Sequence, residues 1–144
     1  MEELRGERIR VTLRWIQILD NLEPAWKERG EFRFFATVSS RNGDVRQDTK
    51  FPEEGHYEIS DHPAWNKMNL DKVLFDGMIT DHIKVELRGE ELDMMSANDQ
   101  LDHYTREFEG APASWIGLYE PHDEESDDPE NMTNWRICYE IAQV

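Results

Sequence analysis

Residues 83–99 read IKVELRGEELDMMSAND, and two patterns meet in them. Ile83, Val85 and Leu87 alternate with Lys84, Glu86 and Arg88. That period of two marks a strand with one face on a core and the other in solvent. The alternation then gives way to Glu91 and Asp93, which share a face at the end of the strand. A bend follows at Met94-Met95-Ser96-Ala97, and Asn98-Asp99 lie on the way back. A strand that runs into an acidic bend sets both the fold class and the kind of site to look for.

The same period recurs on either side. Ile9, Val11, Leu13 and Trp15 alternate with Arg10, Thr12 and Arg14, and after Trp15 the phase moves to Ile16 and Ile18, as a bulge near that point would make it. Phe32, Phe34, Ala36 and Val38 form a strand that ends at Arg41-Asn42-Gly43-Asp44, where Asn-Gly supplies the positive φ of a tight reversal. Trp135, Ile137, Tyr139 and Ile141 alternate with Arg136, Cys138 and Glu140. Val73, Phe75 and Met78-Ile79 mark a strand ahead of residue 83, with weaker signals at His56 to Ile59 and at Tyr104 to Phe108. No segment holds a 3.6-residue apolar stripe over three turns, so helix is minor, with room for one short turn in residues 20–30. Residues 51–69 and 110–134 read as long loops, the second carrying Asp123-Glu124-Glu125-Ser126-Asp127-Asp128 as a mobile solvated run. The expected fold is all-β: one domain over residues 1–144, an eight-stranded antiparallel β-sandwich.

Sixteen Lys and Arg stand against 32 Asp and Glu, a formal charge of -16. Such a chain repels phosphate backbones, which argues against nucleic acid as a partner. It also repels anionic lipid unless bound cations first cancel the local charge. The single cysteine, Cys138, rules out an internal disulfide framework. Residues 1–10 are charged and carry no signal-peptide core, and no apolar run approaches the roughly 20 residues that cross a bilayer, so a cytoplasmic protein is expected.

Calcium takes about six to eight oxygen ligands, more than consecutive side chains on one strand can offer, because neighbours point opposite ways. Acids at alternate positions before a bend and further acids after it solve that problem. Glu91, Asp93, Asn98 and Asp99 are so arranged, and in their order and spacing they resemble the calcium loop of the protein-kinase-C-type C2 domains. There an Asp-x-Asp pair is followed, after five intervening residues, by a further Asp preceded by Asn or Asp. Two departures stand out: Glu91 replaces the first Asp, and Asp102 replaces a glycine. The resemblance implies a C2-like sandwich with calcium loops at one end. It implies a second loop over residues 20–31, with Asp20 or Glu23 and then Glu31 as acids, after Asn21-Leu22. It further implies a non-enzymatic, Ca2+-binding module that docks on a membrane surface or a protein partner in a calcium-dependent manner. Trp26, Met94 and Met95 would be its apolar loop tips, acting once calcium has neutralised the acids. With no basic patch visible on the flank, affinity for anionic lipid would then rest on calcium.

Other chemistry finds little support. His56, His62, His82, His103 and His122 lack the spacing of zinc ligands and read as surface or loop residues. Cys138 lies in a strand with no helix N-terminus to activate it. Ser96 and His103 lack any nucleophile elbow. The alternative to a calcium module is a metal-free sandwich that binds protein or carbohydrate through Trp65, Trp115 and Tyr119. Metal-assisted hydrolysis is a third, weaker reading.

Overall fold

The computed structural model describes residues 6–19, 29–60, 62, 66–92, 99–123 and 125–144. In them the chain is all-β, with antiparallel pairing throughout and one 3-10 turn at Pro112–Trp115. The first sheet contains β1 (Glu7–Ile18), β5 (Lys67–Ile79), β9 (Gly117–Tyr119) and β10 (Trp135–Gln143), in the order β5-β1-β10-β9. The second contains β2 (Arg29–Ser39), β3 (Arg46–Phe51), β4 (Tyr57–Ser60), β6 (His82–Glu91), β7 (Asp99–Gln100) and β8 (Tyr104–Glu109). β2 and β6 are its central pair.

The described residues thus hold ten strands rather than eight. The difference has a simple origin. β3 and β4 both pair along one edge of β2, and β7 and β8 both pair along one edge of β6. Each outer lane of the second sheet is broken in two, so ten segments occupy eight lanes. β3 escaped the sequence reading because its residues, RQDTKF, are polar on both faces and only Phe51 is buried. It is an edge strand, where one half-covered face suffices. β4 and the start of β5 likewise interrupt residues 51–69, and the 3-10 turn and β9 interrupt residues 110–134.

Between the sheets lies one apolar core. Phe32, Phe34, Ala36 and Val38 enter it from β2, and Ile9, Val11 and Leu13 from β1. Phe34 is its centre, stacked on Trp135 of the opposite sheet at 5.7 Å and on Phe51 at 5.4 Å. The bulge in β1 falls between Leu13 and Trp15, so Arg14 is the extra residue and the phase changes one position earlier than the sequence suggested. Ile16 and Ile18 therefore take over the inward face, and Trp15 turns to the outer face, under the Lys67 ammonium at 4.2 Å. In β5 a register shift opposite Val11 and Thr12 leaves Val73 exposed and buries Leu74 instead. Gly89 of β6 must be glycine for want of room: a Cβ there would lie 2.7 Å from Leu101 Cδ1 and 3.0 Å from the Phe34 ring. At the end of β2, Gly43 has φ +71, as the Asn-Gly turn requires.

Candidate functional site

The strand register brings several chain segments to one end of the sandwich. β1 leaves the first sheet at Ile18, opposite Trp135 where β10 begins. In the second sheet β2 starts where β4 ends, Arg29 opposite Ser60, and Phe32 lies opposite Glu91 where β6 ends. The segments 20–28 and 93–98 are therefore both rooted at this end. Asp20, Glu23, Trp26, Asp93, Met94, Met95 and Asn98 lie outside the described residues. Glu31, Glu91 and Asp99 lie within them.

Those three do not share a face. Glu91 is the register partner of Phe32, so it points with Phe32 toward the interior, and it is 1% exposed. On its other side its register partner is Asp99 of β7, which is exposed. Two carboxylates directly opposite on a ladder repel by a few tenths of a kcal/mol to about 1 kcal/mol. Burying an ionised carboxylate costs several kcal/mol unless a cation or hydrogen bonds compensate. Burial is thus the larger demand at Glu91. The adjacent Glu90 points outward and is met by the Arg33 guanidinium at 3.0 Å.

Glu31 also points outward, opposite Glu58 of β4. His56 joins them, its Nε2 3.9 Å from Glu31 Oε2 and 4.0 Å from Glu58 Oε1. One ligand atom from each of the three lies within 4.8 Å of the others. His56 and Glu58 were not foreseen as a pair with Glu31. Their spacing of two places them on one face of a strand, but only the β2–β4 register says which acid they meet. With an imidazole among its donors this group differs in chemistry from Glu91 and Asp99, whose donors are all oxygen.

The backbone ties these roots together. Leu92 N donates to Glu31 O at 2.7 Å and Leu101 N to Gly89 O at 2.9 Å, so both arms of the acidic loop are fixed to the second sheet. Asp102, the residue that departs from the C2 pattern, holds the returning arm to the corner before β10. Its Oδ2 accepts from Thr133 N at 2.9 Å, its carbonyl from Trp135 Nε1 at 2.7 Å, and its own N donates to Asn134 Oδ1 at 3.0 Å.

A second buried acid lies farther along the chain. Glu130 is 2% exposed, its Oε1 accepts from Arg106 Nη1 at 2.7 Å, and its Oε2 has no hydrogen-bond partner. Burial raises its carboxyl above the ordinary range, against the pull of Arg106. The guanidinium lies over the Tyr119 ring at 4.8 Å and the Phe108 ring at 5.2 Å. Nearby, the Tyr104 and Tyr139 hydroxyls share a hydrogen bond of 2.6 Å, and burial raises both phenols.

Several expectations are corrected here. His82, on the outer face of β6, is nonetheless buried, 5% exposed, with Nε2 3.3 Å from Glu107. Trp115 is 3% exposed and donates through Nε1 to Glu109 O at 3.0 Å, so it belongs to the core rather than to a contact surface. Tyr119 is half-buried in the aromatic cluster, and Trp65 lies outside the described residues. In the run at 123–128, whose Glu124 lies outside the described residues, Asp128 Oδ2 accepts from His122 N and meets its Nδ1 at 2.7 Å, and Asn131 Nδ2 donates to Ser126 O, while Asp123, Glu125 and Asp127 are exposed as expected. Basic side chains also gather where none was expected, on the outer face of the second sheet. Lys50 and Arg88 flank Phe35 as its register partners, with Arg46 farther along β3. Cys138 is buried and its thiol is pushed up to about 12, chiefly by burial and then by Glu120, which keeps it a thiol at neutral pH. No described helix is long and apolar enough to cross a membrane.

No protein-family model matches the sequence, and no curated protein matches it.

Proposed function

We propose that this chain is a non-enzymatic, C2-like calcium-binding module that holds Ca2+ between the segments 20–28 and 92–99 at one end of the sandwich. The observation that carries the reading is Glu91, a carboxylate 1% exposed at the mouth of an acidic loop, with Asp99 as its register partner. The donor chemistry fits calcium: hard oxygens only, supplied by Glu91 and Asp99, with Asp20, Glu23, Asp93 and Asn98 on the joining segments. Glu31 belongs to the separate group with His56 and Glu58. Eight antiparallel lanes with the acidic segments at one end agree with the resemblance. Bound calcium would supply positive charge at the loop tips. Trp26, Met94 and Met95 would then be free to dock on a membrane or protein surface.

The test is calorimetric titration with Ca2+ and, separately, Mg2+, on the wild-type chain and on Glu91→Gln. Magnesium demands a tight octahedron and gives up water reluctantly, so a calcium site discriminates between them. The expected result is a calcium isotherm that magnesium does not reproduce and that Glu91→Gln weakens at least tenfold. A flat wild-type isotherm at millimolar calcium ends this reading. Binding that Glu91→Gln leaves unchanged removes the residue on which it rests.

A further inference from the structure

The corner that precedes β10 bonds the chain just before the first acidic segment, at Leu19, and just after the second, at Asp102. Asn134 is its centre. The Asn134 carbonyl accepts from Leu19 N at 2.9 Å, at the point where β1 leaves for segment 20–28. Its side-chain Oδ1 accepts from Asp102 N at 3.0 Å, on the returning arm of the 92–99 loop. Thr133 N closes the pair by donating to Asp102 Oδ2 at 2.9 Å, and Trp135, fully buried, anchors the corner through Nε1 to Asp102 O at 2.7 Å. One residue thus bonds the root of the first segment through its backbone and the root of the second through its side chain. The two roots lie on different sheets, Leu19 at the end of β1 in the first and Asp102 beyond β7 in the second, and Asn134 bonds both.

We infer that Asn134 and Asp102 form a positioning staple that couples the roots of the two acidic segments, Leu19 and the arm beyond β7, and so sets affinity and selectivity for a cation held at this end of the sandwich. The cation part rests on the calcium reading above; the coupling does not. Neither residue is assigned as a ligand. The Asp102 carboxylate is engaged by the Thr133 amide, and the Asn134 oxygen by the Asp102 amide. Groups that orient ligands in this way are known to change metal affinity by about 10- to 100-fold when removed.

Two measurements separate the parts of the inference. The first is amide hydrogen exchange on the calcium-free chain, read at Leu19 and Asp102 in wild type, Asn134→Ala, Asp102→Ala and Asp102→Asn. Coupling predicts that Asp102→Ala speeds exchange at Leu19, which Asp102 does not touch, by tenfold or more. Asp102→Asn, which keeps an acceptor for Thr133 N, should stay close to wild type. Asn134→Ala should speed both amides while those in β2 and β6 keep their protection. If Leu19 exchanges at the wild-type rate in Asp102→Ala and Asn134→Ala, there is no coupling and the inference is wrong. Should Asp102→Ala fail to fold, Asn134→Ala, which deletes one hydrogen bond, decides alone.

The second measurement is calcium and magnesium calorimetry on the same variants. The expected outcome is a 10- to 100-fold loss of calcium affinity and a narrowed calcium-to-magnesium ratio in Asn134→Ala and Asp102→Ala, with Asp102→Asn within about threefold of wild type. A loss in Asp102→Asn as large as in Asp102→Ala would make the charge itself the active feature, and Asp102 a ligand rather than a positioning residue. A wild type that binds no calcium defeats the calcium reading and the affinity claim with it, and the exchange result still decides the coupling.

Discussion

Glu91 and Glu130 are buried to the same degree, 1% and 2% exposed, and the chain treats them in opposite ways. Glu130 has its cation built in: the Arg106 guanidinium at 2.7 Å, itself laid over two aromatic rings. Glu91 stands at the mouth of an acidic loop, with a second acid as its register partner. A carboxylate neutralised from within the fold serves the fold. On the calcium reading, one at the end of a strand beside a further acid meets a cation from solvent. On that reading the difference between the two acids is carried by what surrounds each, since depth is the same.

The largest expected effect tests the structural half of that contrast. Arg106→Ala leaves Glu130 buried with no charged partner, which should cost about 3 kcal/mol of stability in urea unfolding, the low end for a broken buried pair because Arg106 is about one-third exposed. Glu130→Gln, which removes the charge and keeps the shape, should cost far less. Equal losses from the two variants would mean that packing, and not the buried charge, sets the cost.

Close behind comes the ligand-binding half. Calcium at about 100 times its dissociation constant should stabilise the folded chain by about 2.7 kcal/mol, seen as a rise in melting temperature. Glu91→Gln should lose that gain, and Glu130→Gln should keep it in full. If both variants respond to calcium alike, the two acids are not different in kind.

These two regions were not equally legible in the sequence. Alternation at Ile9 to Leu13, Phe32 to Val38, Ile83 to Leu87 and Trp135 to Ile141 gave the central strands, since each buries one face against the same core. It also placed the acids at 91–99 next to a strand end. Glu130 was invisible, because its partner lies 24 positions away on β8 and nothing local separates a buried acid from its exposed neighbours Asp127 and Glu125. β3 was missed because an edge strand needs little apolar surface, and the group of Glu31, His56 and Glu58 because pairing, not spacing, creates it. Gly89 belongs with these: only the packed structure gives the reason for glycine there. Gly89→Ala must displace Leu101 or Phe34 and should cost about 1–3 kcal/mol. Since Leu101 N is bonded to Gly89 O on the returning arm, the same variant should weaken calcium binding as well. A loss of stability with calcium affinity untouched would show that the arm is positioned from elsewhere.

The smallest effect divides two acids only two positions apart. Asp128 is held down to about 2 by the backbone N–H and then the ring of His122, whereas burial lifts Glu130 above its ordinary 4.5. The signs follow. Asp128 binds its proton less readily in the folded chain, so its contribution is complete above its ordinary 3.8 and fades as pH falls through about 2. His122 is raised from 6.5 by the same contact, so its share is present below 6.5 and fades as pH rises through its folded value. Glu130 runs the other way from Asp128: the folded chain takes up its proton more readily, so its contribution is fullest below 4.5 and declines as pH rises through its raised value. Asp128→Asn should therefore flatten the acid limb of stability between about pH 4 and pH 2. Glu130→Gln should steepen the fall from neutral pH into acid, because it deletes a contribution that grows on acidification. Carboxyl carbon NMR titration checks the assignment directly, with Asp128 expected to titrate near 2 and Glu130 above 4.5. A Glu130 midpoint at or below 4.5 would mean that Arg106 outweighs burial, and the two buried acids would then differ only in the source of their cation.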